Sequence, residues 1–275
     1  MAITEFIYGI HPVLEALKAA RRDIFDIYIS SKKDFKRIEE IVHLSENLKL
    51  PVNKISPEKF NSLSNSGIHQ GVAARVGPYP YSEISSLIKR QSSYIIPLIL
   101  ILDHIKDPQN LGAIIRTALC AGVNGIVVPK DRSCGATPAV SRSSAGALEH
   151  IRLARVSNII NAINLLKEKG LWIAGLDRSA KNSIFSTDLT IPIALVIGGE
   201  DQGVGPLVKR HCDILVSIPQ IGSFNSLNAS VAGAIAMYET LRQRKLIGFE
   251  GSMGQGAKGN GQRDLMVFNK YDLKG

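Results

Sequence analysis

Three features of the chain predict an α/β fold built on a largely parallel sheet. From residue 97 onward, strand-length apolar runs alternate with helix-length amphipathic runs, an order that places helices on both faces of a parallel sheet. The run 97–103 is apolar without a break until Asp103, as strands buried on both faces are. Two polar loops, beginning at Gly198 and at Ile218, each follow such a run. Loops at strand ends are where parallel sheets keep their ligand sites.

Residues 1–78 read as a small separate α/β unit. A helix starts after Gly9, with Val13, Leu14 and Leu17 at helical spacing. Residues 26–30 form a short strand, and 35–48 an amphipathic helix with Ile38, Ile41, Val42 and Leu48 on its inner face. A strand over 51–55 precedes a helix with Ser56 at its cap and Pro57 in its first turn. Residues 71–76 close the unit as a strand. The proline- and tyrosine-rich stretch beginning at Gly77 is a break. A linker follows to residue 96, with a short helix possible over 84–89.

The second unit spans 97–247. Strand 97–103 leads to helix 111–121, with Asn110 expected at its N-cap and Gly122 just past its end. Strand 125–129, helix 159–169, strand 171–176, strand 194–198, a helix opened by Pro206 and strand 214–218 complete the alternation. The helix after Asn228 contains Ala229, Ser230, Ala232, Gly233, Ala234 and Ala236, small residues that permit close packing or a subunit contact. From Gly248 to 275 the chain becomes glycine-rich and basic, with seven of its 24 glycines, and is expected to be a flexible tail.

Composition excludes several classes. No 18-residue apolar span is present, so no membrane helix is expected. The N-terminus lacks a basic region followed by an apolar core, so no secretory signal is expected. Cys120, Cys134 and Cys212 are too widely spaced for a disulfide framework or zinc ribbon and suit a reducing cytoplasm. The six histidines show no metal-ligand spacing. Gly203 and Gly205 lack the third glycine of a dinucleotide fingerprint, because position 208 is Val208. The formal net charge of +9 favours a polyanionic partner. Seven basic against three acidic groups in residues 241–275 concentrate that excess in the tail.

The chemistry-bearing residues fall in three stretches. Helix 111–121 is apolar on every side except at Arg116 and Thr117. Were it buried all round, Arg116 would need an anionic partner. Glu200, held between Gly198-Gly199 and Gly203 at a strand end, is the natural one. Ser226 and Asn228 open the small-residue helix, and Ser226 on its own reads as a cap.

Taken together, Asn110-Leu-Gly-Ala-Ile-Ile-Arg116, Ile197-Gly-Gly-Glu200-Asp-Gln-Gly203, and Ile218-Pro-Gln-Ile-Gly followed by Ser226-Leu-Asn228-Ala-Ser-Val-Ala232 resemble the three motifs of the SpoU (TrmH-like) branch of the SPOUT RNA 2′-O-ribose methyltransferases. Ile7-Tyr-Gly-Ile-His-Pro-Val13 and Gly67-Ile-His-Gln-Gly-Val-Ala-Ala74 resemble the substrate-binding unit of the 23S rRNA guanosine-2′-O-methyltransferase group. The resemblance runs over about residues 6–245 and gives no role to the tail. It implies a C-terminal trefoil knot, an exception to the usual topology rules, and a homodimer packed through the knotted region. It further implies S-adenosyl-L-methionine as methyl donor, held by the main chain around Gly198, Gly199, Ile218 and Leu227 with Leu176 nearby. Asn110, Arg116, Glu200, Ser226 and Asn228 fall on the family's catalytic positions.

The implied reaction has a poor nucleophile, since a ribose 2′-hydroxyl does not ionise at neutral pH. The expectation is that Arg116, held by Glu200 and Asn110, orients the target phosphate and takes or relays the proton, through phosphate or Ser226. Ser226 and Asn228 would shape the nucleotide pocket, and residues 1–78 would grip structured RNA, 23S rRNA first among the candidates. Two other readings stand beside it: the same chemistry on tRNA, and an RNA-binding protein that keeps the fold without catalysis.

Overall fold

The structure is a computed structural model that describes residues 3–30, 36–63, 70–88, 96–221 and 226–253. Its N-terminal part is a four-stranded sheet in the order β1 (Glu5–Tyr8), β4 (Val72–Val76), β2 (Ile24–Ser30), β3 (Val52–Ile55). β4 runs antiparallel to both β1 and β2, and β3 is parallel to β2. Helices α1 (Ile10–Ala19) and α2 (Lys36–Asn47) contribute Val13, Leu14, Leu17, Ile38 and Ile41 to a core with Ile7, Ile27, Val72, Ala74 and Val76. The strand β1 has no counterpart in the sequence reading, because four residues are too few to show a period. Ser56 caps α3 (Pro57–Leu63) as expected, accepting from the Lys59 N–H at 3.4 Å.

The second sheet has seven strands, all parallel to their neighbours. Their order is β7 (Leu153–Val156), β6 (Gly125–Pro129), β5 (Leu98–Asp103), β10 (Ile193–Gly198), β8 (Trp172–Leu176), β11 (Ile214–Ser217), β9 (Asn182–Ser183). Strand alternation sends Leu98, Leu100, Leu102, Leu195 and Ile197 to one face, where α5 (Pro108–Cys120) and α9 (Ala229–Met253) lie. Ile99, Ile101, Ala194 and Val196 meet α4 (Ile84–Leu87), α7 (Ile159–Glu168) and α8 (Pro206–His211) on the other. The parallel sheet between helices that the apolar runs predict is therefore present. β10 is inserted between β5 and β8, so its glycine-bearing end sits near the middle of the sheet's C-terminal edge.

α9 runs to Met253, six residues into the stretch from Gly248 that composition assigns to a tail. Isolated glycines cost a helix only about 1 kcal/mol each and are carried by helix-forming neighbours. The rest of the expected tail, 254–275, lies outside the described residues.

The two parts are joined by a buried ion network. Arg22, in the connection between α1 and β2, donates through Nε and Nη2 to both Glu149 carboxylate oxygens at 2.8 Å, and through Nη1 to Glu5 at 2.5 Å. Glu149 also accepts from the Ser141 hydroxyl at 2.8 Å. The Arg22 and Glu149 side chains are 1% and 2% exposed. Sequence pattern gives no hint of it, since the partners are separated by 127 positions. Removing one member of such a pair leaves a buried charge unmatched, at a cost of about 3–5 kcal/mol. Glu149→Leu is therefore expected to lower the free energy of unfolding by that amount in a denaturant titration. The double variant Arg22→Met, Glu149→Leu should recover most of it. A single variant as stable as the parent would contradict a joining role.

Candidate active site

The first arm of the site is the start of α5. Asp107 is its N-cap: the carboxylate accepts from the Gln109 N–H at 3.0 Å, and Pro108 occupies the first turn. The cap therefore stands three residues earlier than the Asn110 expected from sequence. Asp-Pro is the stronger start signal, because the proline is pre-set for the first turn and lacks the N–H that would go unpaired. Asn110 is freed from capping, and its side chain points out of the helix. Gly122 has φ of +74°, as expected just past the helix end.

The second arm is the loop after β10. Gly198 pairs with Asp103 at the parallel strand ends, and the Gly199 N–H donates to the Asp103 carbonyl at 2.8 Å. The loop turns back so sharply that a Cβ on Gly198 would lie 1.9 Å from the Gly203 carbonyl carbon. A Cβ on Gly199 would lie 2.4 Å from the His104 carbonyl oxygen. Both glycines are required by backbone contact. The fully buried Asp103 carboxylate braces the far side, accepting from the Gly205 N–H at 2.8 Å. The two acidic side chains on the loop then take different partners. Glu200 accepts from Asn110 Nδ2, and Asp201 accepts from Lys106 Nζ at 3.0 Å.

The third arm is the start of α9. Asn228, rather than Ser226, caps it: its Oδ1 accepts from the Ser230 N–H at 2.8 Å and from the Ser230 hydroxyl at 2.6 Å. With that oxygen occupied, Asn228 Nδ2 donates to Asn110 Oδ1 at 2.9 Å. The result is an ordered relay of amides, Asn228 to Asn110 to Glu200, in which each amide orientation is set by the next. Glu200 is exposed, and among the described residues its second oxygen has no hydrogen-bond partner.

Leu176, Gly198, Gly199, Ile218, Ser226, Leu227 and Glu200 all line one cavity of about 470 Å³, within the range of small-ligand sites. Leu176, Ile197, Val216, Ile218 and Ala229 give it apolar walls, and the strand-end main chain at 198–199 gives it polar groups. Size and lining fit S-adenosylmethionine, whose adenine needs apolar walls and whose sugar and amino acid need donors and acceptors. Sequence reasoning missed Asp177 and Lys209, which line the same cavity. Lys209 Nζ lies 2.5 Å from the Asp177 carboxylate, which also accepts from the Ser179 N–H and hydroxyl. Burial raises the Asp177 carboxyl, but the hydrogen bonds from Lys209 and Ser179 outweigh it and hold it down at about 2. Asp177 follows Leu176 at the C-terminal end of a parallel strand, so the strand-end rule alone could have flagged it. Among the described residues no three His, Cys, Asp or Glu side chains are grouped to hold a metal ion.

Arg116 departs from expectation. It is exposed, and among the described residues it has neither an ion pair with Glu200 nor a hydrogen bond to Asn110. The reason is helical phase. Arg116 lies six residues after Asn110, about 120° around the helix at 3.6 residues per turn, and shares its side with the exposed Gln109 and Cys120. A helix that reads as apolar all round is here buried on one side only, through Leu111, Ile114, Ile115 and Ala118.

Comparison with known proteins agrees with this arrangement. Residues 97–238 match the model of the SpoU rRNA Methylase family, and residues 6–82 match that described as RNA 2′-O ribose methyltransferase substrate binding. YacO of Bacillus subtilis, assigned by its name to the TrmH family of tRNA/rRNA methyltransferases, is 38% identical over 89% of this chain and 98% of its own. The 23S rRNA (guanosine-2′-O-)-methyltransferase RlmB of Photorhabdus laumondii is 33% identical over 88% of this chain and 99% of its own. Among solved structures, the SpoU methyltransferase AviRb of Streptomyces viridochromogenes in complex with AdoMet shares the fold, with a TM-score of 0.76 at 24% identity over 88% of this chain and 91% of that one. The chain belongs to the SpoU rRNA methylase family and is an RNA 2′-O-methyltransferase that uses S-adenosylmethionine.

Proposed function

We propose that this enzyme methylates the ribose of a guanosine in 23S rRNA. The observation that carries the reading is the Asn228–Asn110–Glu200 relay at the edge of the cofactor cavity. The rRNA substrate is supported by RlmB, which matches 88% of this chain, including the N-terminal unit. By contrast, two solved tRNA-modifying relatives cover 61% and 56% of it. On this reading residues 1–78 bind RNA, 79–96 connect, 97–247 hold the chemistry, and the basic tail from 248 has no assigned role. The protein works in the cytoplasm; burial pushes the Cys212 thiol up to about 11, so it stays protonated there. Part of the reading is also that the chain after β11 threads a trefoil knot, which returns α9 to pack on α5 and β10.

Bound S-adenosylmethionine supplies a methyl group already activated by its sulfonium. The chain's own residues supply alignment and a proton acceptor. The free oxygen of Glu200 is placed to take a hydrogen bond from the 2′-hydroxyl or to hold a guanidinium. Asn110, fixed by Asn228, keeps that carboxylate in one orientation. Ser226 borders the nucleotide pocket. Main-chain groups at Gly198, Gly199, Ile218 and Leu227, with Leu176, hold the cofactor.

Arg116 enters through a second copy of the chain. Leu119, Val231 and Tyr238 on the paired helices α5 and α9 are 39%, 46% and 51% exposed, an apolar face next to Arg116, a cation without an ion pair among the described residues. A homodimer formed through this face covers those side chains and brings Arg116 of one copy toward the Glu200 of the other.

Glu200→Gln should lower methyl incorporation into rRNA by about 100-fold or more, and Asn110→Ala by about 10–100-fold. Calorimetric affinity for S-adenosylmethionine should stay unchanged in both. Full activity in either variant would reject the relay. Arg116→Ala and Glu200→Gln, each inactive alone, should regain activity when co-expressed as mixed dimers, since one of the two sites is then intact. Absence of recovery would place Arg116 in its own subunit's site or outside the chemistry. Mapping 2′-O-methyl positions in rRNA and tRNA from cells with and without the gene tests the substrate: loss at a 23S rRNA guanosine is expected, and loss in tRNA alone would overturn the assignment.

A further inference from the structure

A second cavity, of about 580 Å³, lies on the other side of the loop that carries Glu200. It opens at the C-terminal ends of β5, β6 and β10, and the mechanism above makes no use of it. Gly199, Asp201, Gln202 and Gly203 line both cavities, so a single turn of backbone divides them. We propose that this second cavity seats a nucleotide of the RNA adjoining the one whose ribose is methylated, with His104 as a positioning residue. The inference rests on the RNA methylation reading and deepens it.

Two observations carry it. The first is an imidazole at the cavity wall whose outer nitrogen has no partner among the described residues. The Asp103 carboxylate is completely buried. Its Oδ2 is taken by the Gly205 N–H, while its Oδ1 lies beside His104 Nδ1 at 2.6 Å and, among the described residues, makes no hydrogen bond. The His104 side chain, 40% exposed, lines the cavity. Among the described residues the other ring nitrogen, Nε2, has no hydrogen-bond partner. His104 also holds φ of +63°, a region that costs a non-glycine residue free energy and that clusters at functional sites.

The second observation is the lining. Pro129, Ile159, Pro206 and Leu207 give apolar surface for the flat face of a base. The Asn158 amide nitrogen, whose oxygen caps α7, and the Gln202 amide offer groups for base edges, while Arg132, beside Asp131, and Lys106, paired with the exposed Asp201, stand at the rim for phosphate. Apolar walls, amide edges and cations around one space suit a nucleotide better than an isolated anion or an apolar ligand. Position agrees as well: only the loop residues Gly199, Asp201, Gln202 and Gly203 separate this cavity from the one that Glu200 lines. Loss of one charged hydrogen bond to the strand corresponds to about a ten-fold effect on affinity.

The test is photocrosslinking of the full-length protein, with S-adenosylhomocysteine present, to 4-thiouridine-substituted 23S rRNA transcripts. Crosslinked peptides are identified by mass spectrometry. Crosslinks are expected on peptides containing residues 157–160 or 206–208, beside those in the N-terminal unit. His104→Ala should lower their yield about ten-fold, and Leu207→Trp, which fills the cavity from an exposed position, should abolish them. S-adenosylmethionine affinity and N-terminal crosslinks should not change in either variant. Excess guanosine 5′-monophosphate should not compete, which separates a nucleotide within RNA from a free one; effective competition overturns the proposal. Crosslinks confined to other surfaces, or yields unaffected by both variants, also overturn it. If the wild type methylates RNA yet crosslinks only elsewhere, this inference alone fails. If it neither crosslinks nor methylates, the RNA reading fails and the inference falls with it.

Discussion

The site depends on one close backbone contact. β5 and β10 end side by side, and the loop after β10 doubles back until Gly198 and Gly199 touch the main chain of Gly203 and His104. No side chain fits there. Asp103, buried at the end of β5, braces the turn through the Gly205 N–H. Because the loop is over-determined in this way, its two acidic residues have fixed destinations. Glu200 meets the amide of Asn110, and Asp201 meets Lys106. Site geometry held by backbone packing needs no ligand to form, and such preorganisation is where catalytic groups gain most.

The fold was legible because its signals are local. The unbroken apolar run through β5 and the alternation that follows announce a buried parallel sheet, and the described strands agree. Three glycine- and amide-bearing stretches, read together, also led to the right family. What could not be read was non-local or a matter of phase. Helix capping moved from Asn110 to Asp107 and from Ser226 to Asn228, because neighbouring residues compete for the same cap and only the observed bonds decide. Arg116 was expected beside Glu200. A helix apolar on most sides does not reveal which side the sheet covers, and here Arg116 lies on the uncovered one. The Arg22–Glu149 network spans the chain with no periodic signature.

These departures have a common consequence. Within one chain the site has a carboxylate, two amides and a cofactor cavity, but not the cation that the motifs supply. The exposed apolar helix face that carries that cation is the natural place for a second copy, so catalysis and assembly are coupled on the proposed reading. The buried ion network holds the N-terminal sheet against the unit containing Ser141 and Glu149. On the proposed reading, RNA gripped by one part is thereby presented to the other in a set orientation.

The central claim is that the braced loop places the Glu200–Asn110 pair at the reacting end of a cofactor held between Leu176, Ile218 and Leu227. A crystal structure of the protein with S-adenosylhomocysteine tests it most directly. The account predicts that the cofactor product fills that cavity with its sulfur turned toward Glu200. Its appearance in the neighbouring cavity beside His104, or with the sulfur facing away from Glu200 and Asn110, would contradict the account.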